Sequence, residues 1–149
     1  MNPLSLYQGF VARTQSLLTA EDAVLLFLRV WVSKIFYLSG RTKAGDGYLE
    51  LNAFTPTLFE EEYSVPLLDP ELAAQLALYG ETFLPLMLIF GLLSRVGAAG
   101  LIVMTAVIQM SYAGHSWVES VTWLGALIPV LLMGPGRISV DAQFGRKTG

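Results

Sequence analysis

Two residues sit where a charge is expensive. Arg29 and Glu81 each lie near the middle of a long apolar stretch, where a lone charge costs at least about 2.5–3.5 kcal/mol on insertion scales. Arg29 lies 11 residues before Gly40, and Glu81 lies 9 residues after Leu72. If Gly40 and Leu72 mark the same end of two antiparallel helices, the two depths agree within about 3 Å at 1.5 Å per residue. The spacing therefore predicts a buried Arg29–Glu81 pair. Such a pair either fixes helix register or binds a polar headgroup or moves protons.

Further polar side chains gather in sequence near that same end. Lys34 lies 6 residues before Gly40, close enough to snorkel towards the interface. Gln109 lies 5 residues before Gly114, and His115, Trp117 and Glu119 follow directly, with Trp123 just beyond. Lys34, Gln109, His115 and Glu119 are expected to line one polar mouth. His115 is the one side chain whose unperturbed pKa is near neutrality, although an interfacial histidine is more often bland than catalytic. Trp117 and Trp123 fit an aromatic belt at a membrane surface, with a ring-stacking pocket as the sharper alternative. Arg29, Ser33, Phe36 and Gly40 share one helix face, which suits either a pocket wall or plain packing.

Composition says what kind of element must hold these residues. Of the 149 residues, 54% are hydrophobic before 14 glycines are counted, and 14% are charged. Soluble domains show about 45–50% apolar residues with glycine included and about 25% charged. Mean hydropathy is +0.56. So apolar a chain of this length implies that much of its surface lies in lipid. A net charge of −3 without a basic cluster excludes a nucleic-acid partner. With no cysteine, disulfides, thiolate metal sites and thiol nucleophiles are excluded. One histidine and five dispersed methionines make a weak case for copper, and no metal ligand set is assigned.

Four apolar runs carry the argument to a fold: Ala23–Gly40, Leu72–Leu93, Val96–Gly114 and Ser120–Gly134. A hydrocarbon core of about 30 Å needs about 20 helical residues, with roughly 17–25 tolerated. The middle two runs meet this outright, the first nearly so, and the fourth by recruiting residues 115–119. Unalternating runs of this length are helices, since each backbone group in lipid must be paired within its own segment or a closed barrel. Gly97 and Gly100 offer a flat face for close helix approach. The expected fold is all-α: a membrane-embedded four-helix bundle forming a single domain over residues 1–149. It has a polar N-terminal tail over about 1–22, a partly structured outer loop over about 41–71 and a C-terminal tail over about 137–149. The loop holds Glu60, Glu61 and Glu62 but also Phe54, Leu58 and Phe59, so it is expected to fold back onto the bundle with a short interfacial helix. Arg13, Arg95, Arg137, Arg146 and Lys147 on one side, against Arg41 and Lys43 on the other, place both termini in the cytoplasm.

These residues in this order resemble the DoxX family of small four-helix membrane proteins. The likeness covers about residues 22–141. It runs from Leu28-Arg29 and Gly40-x-x-Lys43, through Glu81 and Gly91-Leu92-Leu93-Ser94-Arg95, to Gly134-Pro135-Gly136-Arg137-Ile138-Ser139-Val140-Asp141. Leu58 to Tyr63 followed by Val65-Pro66-Leu67-Leu68 resembles the extended outer loop of one branch. The resemblance implies an association with membrane redox systems, such as quinol oxidase or thiosulfate:quinone oxidoreductase subunits, in the bacterial cytoplasmic (inner) membrane. It supplies no settled catalytic set, so Gly40, Lys43, Arg95, Gly134, Pro135, Gly136 and Asp141 are motif positions only.

Three functions stay open at this level. The first is an accessory subunit of a quinone-linked or thiol/thiosulfate-linked system, which holds a quinone or docks a redox-protein partner. Quinone carbonyls need a few donors in an apolar cleft, and Arg29, Lys34, Gln109, His115 or Trp123 are placed to supply them. The chain has no redox side chain of its own, so electron transfer would need a bound cofactor. The second is a structural or assembly protein, as a homo-oligomer or with a recruited partner. The third is a carrier of a small solute or metal.

Overall fold

A computed structural model describes residues 20–63 and 65–147 of the chain. The polar tail expected at the N-terminus lies outside the described residues up to position 19, and the helix that follows starts earlier than expected. Among the described residues there are six helices: α1 (Ala20–Lys43), α2 (Thr55–Glu61), α3 (Pro70–Phe90), α4 (Ser94–Ser111), α5 (Trp117–Met133) and α6 (Val140–Lys147). Among the described residues there is no strand, only an isolated bridge between Ala44 and Leu51. The expected C-terminal tail is helical over Val140–Lys147, and residues 148–149 lie outside the described set.

The helix boundaries follow from local chemistry. Glu21 and Asp22 open α1 and Arg41 and Lys43 close it, each complementing the helix dipole. Asp69 accepts from the Glu71 and Leu72 amides at 3.2 and 3.4 Å, ahead of Pro70 in the first turn of α3. Gly91, at φ +69°, ends that helix, and the Leu92 amide closes back onto the Met87 carbonyl at 2.9 Å. Leu93 also adopts a left-handed conformation, at φ +49°, so the chain reverses into α4 within three residues.

The four long helices pack side by side in ring order, α1 on α3, α3 on α4, α4 on α5 and α5 back on α1. Leu25, Val32, Phe36, Leu88, Leu101, Leu127 and Val130 fill the centre. Arg29, Ser33, Phe36 and Gly40 all turn inward, as their shared face requires. A Cβ on Gly97 would lie 3.2 Å from the Leu84 carbonyl oxygen, so glycine there lets α4 press against α3. Outward, the bundle presents large apolar side chains on every long helix, among them Phe27, Phe83, Phe90, Val103 and Leu132, as a helix set in lipid would. The helices α1, α3 and α4 are long and apolar enough to cross a membrane. The helix α5 is apolar but has 17 residues, and it does recruit Trp117–Glu119.

One end of the ring, the loop end, carries residues 44–69 and 112–116. The short helix α2 folds back there as expected, and Phe59 packs on Ala73 and Ala74 of α3. The other end, the turn end, carries the α3–α4 reversal and residues 134–147.

Candidate functional site

A cavity of about 360 Å³ lies at the loop end, between α3 and α4 and beneath the folded-back loop. Its floor is a buried ion pair. Lys43 Nζ donates to Glu81 Oε2 at 2.7 Å, with the two side chains 8% and 3% exposed, and also to Ser39 Oγ at 3.0 Å. The pair can meet because of Gly40, where a Cβ would fall 3.0 Å from the Glu81 Cβ. With hydrogen at that position, α1 and α3 approach until the two charges touch.

Aromatic rings form one wall. Phe59, Tyr63, Tyr112, His115, Trp123 and Phe36 follow one another in a file, with successive centroids 4.9, 4.7, 6.5, 4.9 and 5.0 Å apart. All but Phe36 line the cavity. Burial, then the neighbouring Tyr112, Glu81 and Glu62, raises the Tyr63 phenol above its ordinary pKa, so it remains a protonated donor. Ser111 Oγ lines the cavity, buried and without a hydrogen-bond partner. Ser120 Oγ donates to Gln109 Oε1 at 2.8 Å and lies 3.0 Å from His115 Nε2. With its own hydrogen committed to Gln109, the Ser120 hydroxyl accepts the Nε2 hydrogen of His115. Stacking faces, an unengaged hydroxyl and a fixed ion pair together suit a flat ring bearing one or two polar oxygens.

The structure corrects the expected pairing. Glu81 meets Lys43, while Arg29 lies at the turn end, where its Nη2 donates to the Ile138 carbonyl at 2.6 Å. Glu81 abuts Gly40, and Arg29 is 11 residues, about 16 Å, further along α1. Gly40 and Leu72 do not lie at a common level, so equal counts from them do not give equal depths. The first turns of α3 rise beyond the end of α1 and support the loop through Ala73 and Ala74.

The expected polar mouth is also only partly assembled. His115 and Trp123 line the cavity, Gln109 reaches His115 through Ser120, the exposed Glu119 carboxylate lies 3.5 Å from His115 Nδ1, and Lys34 faces outward. Trp117 is 65% exposed, as a belt residue would be, but Trp123 turns inward against Phe36 and His115. Lys43, Ser111, Tyr63 and Tyr112 were not expected in the site. The signal for Lys43 was present, since it continues the inward face of Arg29, Ser33, Phe36 and Gly40 by one more step.

The remaining motif positions close the turn end. Asp141 accepts from the Leu93 and Ser94 amides at 2.8 and 2.9 Å, capping α4 from another element. Asp22 Oδ1 accepts from the Arg137 amide at 2.6 Å. A Cβ on Gly136, at φ +77°, would lie 3.1 Å from that same oxygen. Arg95 is exposed, and its Nη2 reaches the Leu132 carbonyl at 3.4 Å beside Gly134. With Pro135 these residues line an open hollow of about 670 Å³.

The DoxX family model matches residues 24–115. No curated protein and no solved structure matches the chain. The matched stretch contains Lys43, Glu81, Ser111 and His115, and stops before α5 and the segment at 134–141 to which the sequence likeness extended. It covers more than half of the 149 residues and takes in α3, α4 and all but the first four residues of α1, the three helices long and apolar enough to span a bilayer. The chain is a membrane protein and belongs to the DoxX family.

Proposed function

We propose that the protein is a four-span accessory subunit of a membrane redox system, and that the loop-end cavity holds a quinone. The observation that carries this reading is the cavity's make-up: about 360 Å³ of mostly apolar space with a few convergent polar groups. That is the usual form of a small-ligand site, at the lower end of its size range of roughly 300–1,000 Å³. The rings of Tyr112, His115 and Trp123 supply aromatic wall surface. The Ser111 hydroxyl and the Tyr63 phenol supply donors for quinone carbonyls, and the Lys43–Glu81 pair closes the floor beneath them. The chain itself contributes binding and orientation; a bound quinone would carry the electrons, and a partner would exchange them.

The basic residues support an inner-membrane orientation with the termini in the cytoplasm and the cavity on the far side. Both cations of the loop end are folded into the protein. Lys43 is paired with Glu81, and Arg41 donates to the Tyr48 carbonyl at 2.7 Å, bonds Thr82 and lies over the Tyr48 ring. Arg95 and Arg137 at the turn end are exposed, as cytoplasmic anchoring charges would be.

The test is to extract the detergent-purified protein from native membranes with organic solvent and identify lipid-soluble ring compounds by mass spectrometry. A quinone in near-stoichiometric amount is expected, and it should be depleted in Ser111→Val and Tyr63→Phe preparations of equal fold. Absence of any quinone, together with no quenching of Trp123 fluorescence by added quinone, overturns the reading.

A further inference from the structure

The walls of the cavity are unequally sealed. Phe59, Ala73 and Glu81 are 5%, 5% and 2% exposed. On the side between α3 and α4, however, Leu76, Val103 and Val107 line the same cavity while 51%, 62% and 38% exposed. A residue that both lines a cavity and faces outward marks an opening. Its level is set by α4, an 18-residue apolar helix in which Val103 is the tenth residue. At 1.5 Å per residue that helix is about 27 Å long, so Val103 sits near the middle of the hydrocarbon. Ser111 lies eight residues, about 12 Å, nearer the loop end. Met104 lies beside the opening, across Gly80, where a Cβ would come within 2.8 Å of its sulfur. Glycine at that position leaves a slot for a flexible side chain that can shift as something passes.

We infer that the cavity opens sideways into the bilayer between Leu76 of α3 and Val103 of α4, and that its ligand is a long-tailed amphiphile. The polar ring lies inside, against Ser111 and the Lys43–Glu81 pair, and the hydrocarbon tail remains in lipid. Size argues the same way. An apolar cavity of about 150 Å³ holds benzene, so about 360 Å³ accommodates a substituted ring but not an isoprenoid chain. Polarity is graded to match, with donors and the ion pair at the closed end and only aliphatic side chains at the open one. The ligand therefore enters from the membrane rather than from water. This inference rests on the quinone-binding reading above.

Two probes and one paired variant test it. The full chain in liposomes is loaded either with a tailless benzoquinone added from water or with a quinone bearing a long isoprenoid tail, supplied in the lipid. Occupancy is read from quenching of Trp123 fluorescence, taken as the difference from Trp123→Phe. In Leu76→Phe/Val103→Phe, which enlarges two exposed side chains at the opening, affinity for the tailed quinone should fall about tenfold, equivalent to roughly 1.4 kcal/mol. The tailless probe should bind as in the parent. Equal effects on both probes, no effect on either, or failure of the tailed probe to bind the parent overturns the lateral opening and leaves the binding reading standing. Failure of both probes to bind the parent overturns the binding reading itself.

Discussion

Lys43 and Glu81 together are tolerable in an apolar bundle where either alone is not. Neither side chain is more than a tenth exposed, so removing one leaves an uncompensated buried charge. Breaking a buried pair of this kind costs about 3–5 kcal/mol, whereas replacing both members with apolar residues is often neutral or stabilising. We predict that Lys43→Met and Glu81→Leu are each strongly destabilised, and that the double variant regains most of the parent's stability. Unfolding in mixed micelles with increasing denaturing detergent measures all three. A double variant as unstable as the singles would mean that the two charges do not act as a pair. The need for a buried partner was legible in the sequence, because a mid-span glutamate cannot stand alone. Its identity was not, because Arg29 and Lys43 lie on the same helix face and only the relative shift of α1 and α3 chooses between them.

Among the elements, α4 depends most on a distant residue. Its preceding residue Leu93 supplies no side-chain cap, and no Ser, Thr, Asp or Asn stands at that position. The cap comes instead from Asp141, which binds the Leu93 and Ser94 amides and the Ser94 hydroxyl at 2.8, 2.9 and 3.1 Å. The segment bearing it is held by the Arg29–Ile138 and Asp22–Arg137 hydrogen bonds. Asp141→Ala is expected to cost about 1–2 kcal/mol, the upper range for losing a helix cap, seen as a lower thermal midpoint in detergent. Quinone occupancy of the loop-end cavity should be unchanged, since the cap closes the opposite end of the molecule. The sequence showed Asp141 as a motif position without showing its task, because a cap borrowed across 47 residues leaves no local pattern.

At the scale of the whole molecule, the absence of cysteine makes orientation directly measurable. A single cysteine introduced at exposed Glu60 in α2 should react with a membrane-impermeant maleimide in intact cells. One introduced at exposed Gln143 in α6 should react only after the membrane is opened. The reverse pattern would invert the proposed orientation and turn the cavity towards the cytoplasm.

The sequence alone determined the solvent. Too few charges to cover a globule, and apolar runs long enough to cross hydrocarbon, leave helices in lipid as the arrangement that pairs every backbone group. It also determined which face of α1 turns inward, because a 3.6-residue period fixes Arg29, Ser33, Phe36 and Gly40 on one side. What tertiary structure decided was how far each helix slides along its neighbour. That shift is set by small residues and by the loop packed on Ala73 and Ala74, not by where a run of hydropathy begins. The slide brought Glu81 to Lys43 and left a gap between Leu76 and Val103. Periodicity fixes rotation about a helix axis; only side chains meeting across an interface fix translation along it.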